Sequence, residues 1–206
     1  KTYTGREDVI VLALPRGGVV VGDEVAKALR VPLDVLIVRK LGVPGYEELA
    51  MGAIASGGIR VLNEDVLAQL SISQAALESV AAREWKELER RERAYRGDRP
   101  APDVRGKIVL LVDDGIATGT TMRSAVEALK RQHPAKIIVA VPVAAESSCA
   151  EFNIAEEEQP CVCLFTPTSF FAVGEWYEDF AQTTDDEVRE LLARAQQEQT
   201  TTSQTA

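Results

Sequence analysis

Apolar positions along this chain come in short runs separated by longer stretches of mixed polarity. Val9–Leu14 (VIVLAL) is the first run, followed by Asp34–Lys40 (DVLIVRK), Lys107–Asp113 (KIVLLVD), Lys136–Val143 (KIIVAVPV) and Cys161–Thr166 (CVCLFT). All are rich in Val, Ile and Leu with little polar alternation, the pattern of strands covered on both faces of a parallel sheet. Between them, Val19–Leu29, Asn63–Leu70, Ser73–Tyr95, Thr121–Arg131 and Ser147–Phe152 read as helices. In Ser73–Tyr95 the residues Leu77, Val80, Ala81, Trp85, Leu88 and Tyr95 recur at helical spacing, giving an apolar face opposite a solvated face of Glu and Arg. The alternation predicts an α/β fold, a central mostly parallel sheet flanked by helices. Gly97–Gly106 (GDRPAPDVRG) reads as a loop, and glycine-rich Gly42–Gly58 suggests a small hairpin beside a mobile loop. Polar Gln196–Ala206 suggests a frayed tail.

Composition narrows the chemistry. The 206 residues suit one domain with an appendage, and 46% hydrophobic with 27% charged residues is ordinary for a soluble globular chain. A single histidine, His133, excludes a His-rich metal site and reads as a surface residue at a helix end; a Ser-His-Asp triad would have to use it. Three cysteines cannot build a full disulfide framework, which favours a reducing cytoplasm. Cys161 and Cys163 lie two apart on a strand and read as core thiols, and Cys149 as a helix-face thiol. Glu156–Glu158 reads as a solvated acidic loop. No apolar run approaches membrane-spanning length and no signal peptide is visible, so no membrane partner is expected. The net charge of −9 argues against a general nucleic-acid coat.

The segment with most chemical content is Val109–Thr121, VLLVDDGIATGTT. An apolar strand ends in two adjacent acids, and a short loop of Gly and Thr then opens a helix. The strand delivers Asp113 and Asp114 to the carboxyl edge of the sheet, where open α/β sheets bind ligands. Gly115 and Gly119 allow backbone N–H groups to turn inward, Thr118, Thr120 and Thr121 add hydroxyl donors, and the helix start adds partial positive charge. Two carboxylates beside an anion site suit sugar hydroxyls or a magnesium ion. The Walker pattern is absent, because position 120 is Thr rather than Lys, and so is GxGxxG.

The string VLLVDDGIATGTT resembles the phosphoribosyl pyrophosphate (PRPP) motif of type I phosphoribosyltransferases. Leu14–Gly18 (LPRGG) follows the first strand, where that family places its pyrophosphate loop, and Val38–Lys40 (VRK) ends the second strand, as in the adenine and orotate enzymes. The matched segments run from about Val9 to Val143. Judged by LPRGG, VRKLGVPG, VDDGIATG and the closing VGEWYEDF, the chain is most similar to bacterial members of unassigned substrate.

The resemblance implies roles. Asp113 and Asp114 would hold the ribose hydroxyls, directly or through Mg2+. Gly115, Ala117, Thr118, Gly119, Thr120 and Thr121 would bind the 5′-phosphate. Arg16 and Gly17 would line the pyrophosphate site, with a non-proline cis peptide expected at Arg16-Gly17, and Arg39 and Lys40 would neutralise pyrophosphate. Ala117 stands where 6-oxopurine enzymes carry an Asp, so that position is more like the adenine and orotate enzymes. Phe171–Phe180 (FAVGEWYEDF) resembles the hood strand of the 6-oxopurine enzymes, with Phe171 as the base-stacking residue and Trp176 as its rival. Packing of this segment on the core is the other reading, and Thr166–Phe170 contains no lysine of the kind that reads a purine carbonyl.

The expected organisation is a phosphoribosyltransferase-like domain over residues 1–182, with a mobile loop and helical insertion within 41–106 and hood elements near 166–182. Residues 183–206 would form a C-terminal helix and polar tail. The expected activity is Mg2+-dependent transfer of phosphoribosyl between PRPP and a nucleobase-like small molecule, with room for a homodimer. A regulatory PRPP-binding protein and a phosphate-sugar hydrolase are the rivals. Charge placement suits an anionic substrate: residues 144–206 hold 13 acids and 2 bases, whereas residues 1–143 hold 19 acids and 21 bases.

Overall fold

The computed structural model of the chain describes residues 2–154 and 161–203. The chain divides into two compact units, the first comprising Lys1–Val35, Pro102–Gly119 and His133–Ala206, the second Leu36–Ala101 and Thr120–Gln132.

The first unit holds a five-stranded parallel sheet of β1 (Val9–Ala13), β2 (Leu33–Val35), β6 (Ile108–Val112), β7 (Lys136–Val143) and β8 (Cys161–Phe165), in the order β2-β1-β6-β7-β8. β1 is buried along its whole length and β6 nearly so, which is why both read as unbroken apolar runs. Helix α1 (Gly17–Leu29) packs on β1, β2 and β6, α5 (Glu146–Ile154) on β8, and α6 (Asp185–Ser203) on α1 and β2. A capping box starts α6: the Thr184 N–H donates to Glu187 Oε2 at 2.6 Å, and the Glu187 N–H donates to Thr184 Oγ1 at 3.2 Å. Val188, Leu192 and Ala195 of α6 are buried, and Arg194 reaches the buried Asp23 carboxylate of α1 at 2.6 Å.

The second unit holds an antiparallel sheet of β3 (Val38–Val43), β4 (Tyr46–Ala55) and β5 (Ile59–Leu62), followed by α2 (Glu64–Gln69) and α3 (Gln74–Arg96). Helix α3 packs on β3 and β4, and α4 (Thr120–Lys130) packs on β3, β4 and β5. The buried face of α3 contains Leu77, Val80, Ala81, Leu88 and Tyr95 as expected, but Glu84 rather than Trp85 is buried with them.

Three sequence expectations need correction. Asp34–Lys40 is not one strand: β2 stops at Val35, and β3 starts at Val38 in the other sheet. At the break, Ile37 N–H donates to Ser56 Oγ at 3.1 Å and Ile37 C=O accepts from the Ser56 N–H at 2.9 Å, so its backbone is claimed by the hairpin. Val38–Lys40 therefore opens a strand rather than closing one. The tail expected to fray from Gln196 is helical through Ser203, as α6 continues. The Glu156–Glu158 loop and residues 204–206 lie outside the described residues. His133 is exposed, as expected. Among the described residues no helix is long and apolar enough to cross a membrane.

Candidate active site

Parallel pairing of Ala13 with Val112 makes β1 and β6 end together, so the residues after them leave the sheet at one carboxyl edge. The Leu14 N–H still donates to the Val112 carbonyl at 2.8 Å. Beyond it the Leu14–Gly18 loop and the Asp113–Gly115 turn press together. A Cβ on Gly17 would run into the Asp114 carboxylate, and one on Gly18 would lie 2.9 Å from Asp113 Cα. Glycine at both positions permits this approach. The cis peptide falls one residue before its expected place, at Pro15–Arg16, and Gly17 is already the first residue of α1.

The two acids at this edge are set against each other. Asp113 Oδ1 accepts the Asp114 backbone N–H at 2.9 Å. Burial, and then the neighbouring charge of Asp114, pushes the Asp113 carboxyl well above the usual carboxylate range; burial also raises Asp114. Arg16, the cation of the adjoining loop, faces Asp185 at 3.8 Å.

The loop continues under firm backbone control. Ile116 bridges to Ala144, its N–H donates to the Val143 carbonyl at 3.0 Å, and Ser148 Oγ donates to the Ala117 carbonyl at 2.5 Å. Ala117 and Thr118 are exposed, and Gly119 is buried with φ +73°. Thr120 and Thr121 follow as the first turn of α4, within the second unit.

A cleft of about 500 Å³ opens in the first unit, with Arg16, Gly17, Asp114, Tyr177, Asp179 and Phe180 among its walls. Phe171–Phe180 is not a hood strand; it contains a 3₁₀ turn over Val173–Trp176. Phe171 is 84% exposed and Trp176 packs edge-on against Phe165, ring centroids 4.8 Å apart; neither belongs to the cleft walls. The aromatic that reaches the turn is Tyr177, whose hydroxyl donates to the Asp114 carbonyl at 2.5 Å. The sequence pointed to Phe171 and Trp176 instead of Tyr177; the signal for Tyr177 was the phenol, an apolar ring with a polar tip that needs a partner when buried. Burial, with the charges of Asp114 and Asp113, pushes that hydroxyl up to about 12.

Arg39 and Lys40 lie on β3 of the second unit. Arg39 donates through Nε and Nη2 to Glu84 Oε2 at 2.9 and 2.6 Å, and Lys40 Nζ sits 3.2 Å from the fully exposed Glu48 carboxylate. None of the three cysteines forms a disulfide: Cys149 is buried, whereas Cys161 and Cys163 are only partly buried on the edge strand β8, short of the core setting expected for them. Cys149 and Cys161 Sγ are 3.2 Å apart, and burial pushes the Cys161 and Cys163 thiols up.

Comparison with known proteins places these features. Residues 1–158 match the model of the phosphoribosyl transferase domain. Two curated proteins of Mycobacterium tuberculosis, from strains CDC 1551 / Oshkosh and H37Rv and provisionally named phosphoribosyl transferases, are each 48% identical over 187 residues, 91% of this chain. The chain spans 42% of their length. The crystal structure of TT1426 from Thermus thermophilus is similar at 42% identity and a TM-score of 0.81, over 92% of this chain and 89% of that one.

Proposed function

The chain belongs to the phosphoribosyl transferase domain family, and on that premise we propose that it moves a 5-phosphoribosyl group between PRPP and a nitrogenous base, with pyrophosphate as leaving group or, in reverse, as nucleophile. The observation that carries the reading is the meeting of the LPRGG loop with the diacid turn, side by side at one sheet edge and pressed together at Gly17 and Asp114.

In this reading Asp113 and Asp114 take the ribose hydroxyls, and the backbone from Gly115 through Ala117, Thr118 and Gly119 into Thr120 and Thr121 takes the 5′-phosphate. Arg16 and Gly17 take the pyrophosphate, and Arg39 and Lys40 keep the role of its countercharges. Two adjacent carboxylates raised by burial, Asp113 further by the charge of Asp114, are a hard-oxygen donor pair that a cation would relieve. Asp113 and Asp114 are the residues that would hold a magnesium ion, as hard oxygen donors suit it. Bound there, magnesium would supply charge neutralisation of the departing pyrophosphate. The chain itself holds the sugar still while the C1–oxygen bond lengthens and the base nitrogen approaches, and it limits access of water. Such positioning accounts for much of the rate when no covalent intermediate is formed. One histidine is no handicap for that chemistry.

The test is PRPP with Mg2+ against a panel of bases, reading pyrophosphate release. Release that depends on a base supports transfer. Release without any base indicates hydrolysis, binding without release indicates a regulatory PRPP-binding protein, and no binding by calorimetry removes the reading altogether.

A further inference from the structure

We propose that Tyr177 is a positioning residue for the transfer site: by holding the Asp114–Gly115 peptide, it fixes the backbone from which the Asp114 carboxylate reaches the cleft. The Asp114 carbonyl and the Gly115 N–H belong to one rigid, planar peptide unit and point in opposite directions. The Tyr177 hydroxyl donates to that carbonyl at 2.5 Å, on one side of the plane. On the other side of the residue the Asp114 N–H donates to Asp113 Oδ1 at 2.9 Å, so both peptide units that flank the Asp114 side chain are held. A free plane could rotate; a plane held by the part-buried phenol cannot do so without breaking that bond.

The phenol is itself fixed. Its ring packs on Phe180 with centroids 5.1 Å apart, and Gly174 lies so close to Phe180 that a Cβ there would come within 2.7 Å of the ring. A second anchor comes from the same segment: a Cβ on Gly115 would lie 2.6 Å from Val173 Cγ1 and 3.0 Å from the Val143 carbonyl. Val173 and Tyr177 thus meet the diacid turn at two points, one through packing and one through a hydrogen bond. A water molecule could satisfy the Asp114 carbonyl equally well, but nothing would hold that water in place.

The role in transfer rests on the proposed function, whereas the hold on the peptide is a property of the unliganded chain. Tyr177→Phe keeps the ring and removes only the hydroxyl. Gly115 amide hydrogen exchange in the unliganded variant should speed up about tenfold or more. With substrate, the KM for PRPP should rise about tenfold while kcat stays within roughly twofold, because the carboxylate binds sugar in ground state and transition state alike. Val188→Ala, at a fully buried position of α6, is the packing control: it should lower Tm and leave Gly115 exchange and the KM for PRPP unchanged. Unchanged Gly115 exchange in Tyr177→Phe overturns the inference, and so does a KM rise that Val188→Ala reproduces. A wild-type chain that fails to bind PRPP removes the proposed function and with it the role in transfer, while Gly115 exchange still decides whether Tyr177 holds the turn.

Discussion

On α3, in the second unit, acids meet bases. Glu87 accepts from Arg90 and from Arg91 at 2.8 Å each, and Glu84, with 10% of its side chain exposed, accepts from Arg39 at 2.6 Å. At the end of β6, in the first unit, two acids stand next to each other while Arg16 of the adjoining loop faces Asp185. Acidity separates the two places in opposite directions: the arginines pull Glu87 down to about 2, and burial pushes Asp113 well above its ordinary value. A helix that only has to fold compensates its charges. In the proposed function the diacid turn takes a ligand, and on that reading its charges are left for the ligand to compensate.

The sharpest way to break this contrast is to neutralise one acid in each place. Asp114→Asn should lower kcat/KM for PRPP by roughly 10²–10³-fold in a pyrophosphate-release assay, the scale of losing a transition-state electrostatic contact; retention within threefold would make the turn no different from α3. Glu84→Gln should instead cost about 2 kcal/mol of stability in urea melts, because it leaves a part-buried guanidinium without its countercharge.

Asp113→Asn tests the opposite sign. Asn Oδ1 can still accept the Asp114 N–H. A carboxyl raised in the folded state binds its proton more tightly there than in the unfolded chain, so its ionisation costs stability as pH rises above the ordinary carboxylate range. The variant, without magnesium at pH 7, should melt ~2–4 °C higher, the shift of roughly 1 kcal/mol in a chain of this size. The gain should vanish at acid pH, where the wild-type carboxyl is already neutral. The smallest effect is expected from Glu87→Gln, below about 1 kcal/mol for a solvent-screened pair. Glu87 is lowered in the fold, so its contribution is complete above 4.5 and disappears as pH falls through about 2. A pH-independent difference between wild type and Glu87→Gln would show that the arginine pairs do not act on stability.

Most of the parallel sheet was legible, because β1, β6 and most of β7 are buried, and a strand buried on both faces must be apolar throughout. The same rule hid the break after Val35. A largely apolar run serves one long strand or two short ones in different sheets equally well, and only the distant Ser56 settles which. The meeting of the diacid turn with the LPRGG loop was legible because close approach demands glycine, and glycine shows in a sequence. Tyr177 was not, since among the aromatics of Phe171–Phe180 nothing local tells which ring will find a carbonyl 63 positions earlier. The Arg39–Glu84 pair escaped for the same reason, with the added difficulty that Glu84 sits on a helix otherwise rich in solvated charge.

The separation of β1 from its partner bears on how the chain is made. Val9 pairs with Ile108, so the inner strand β1 leaves the ribosome about a hundred residues before β6. At ~5–20 residues per second it waits on the order of 5–20 s with one side unpaired. During that time its neighbour is the three-residue β2, and the exposed sequence is VIVLAL, uncharged and rich in strand-forming residues. A strand that ends with a partner on each side therefore needs protection during synthesis.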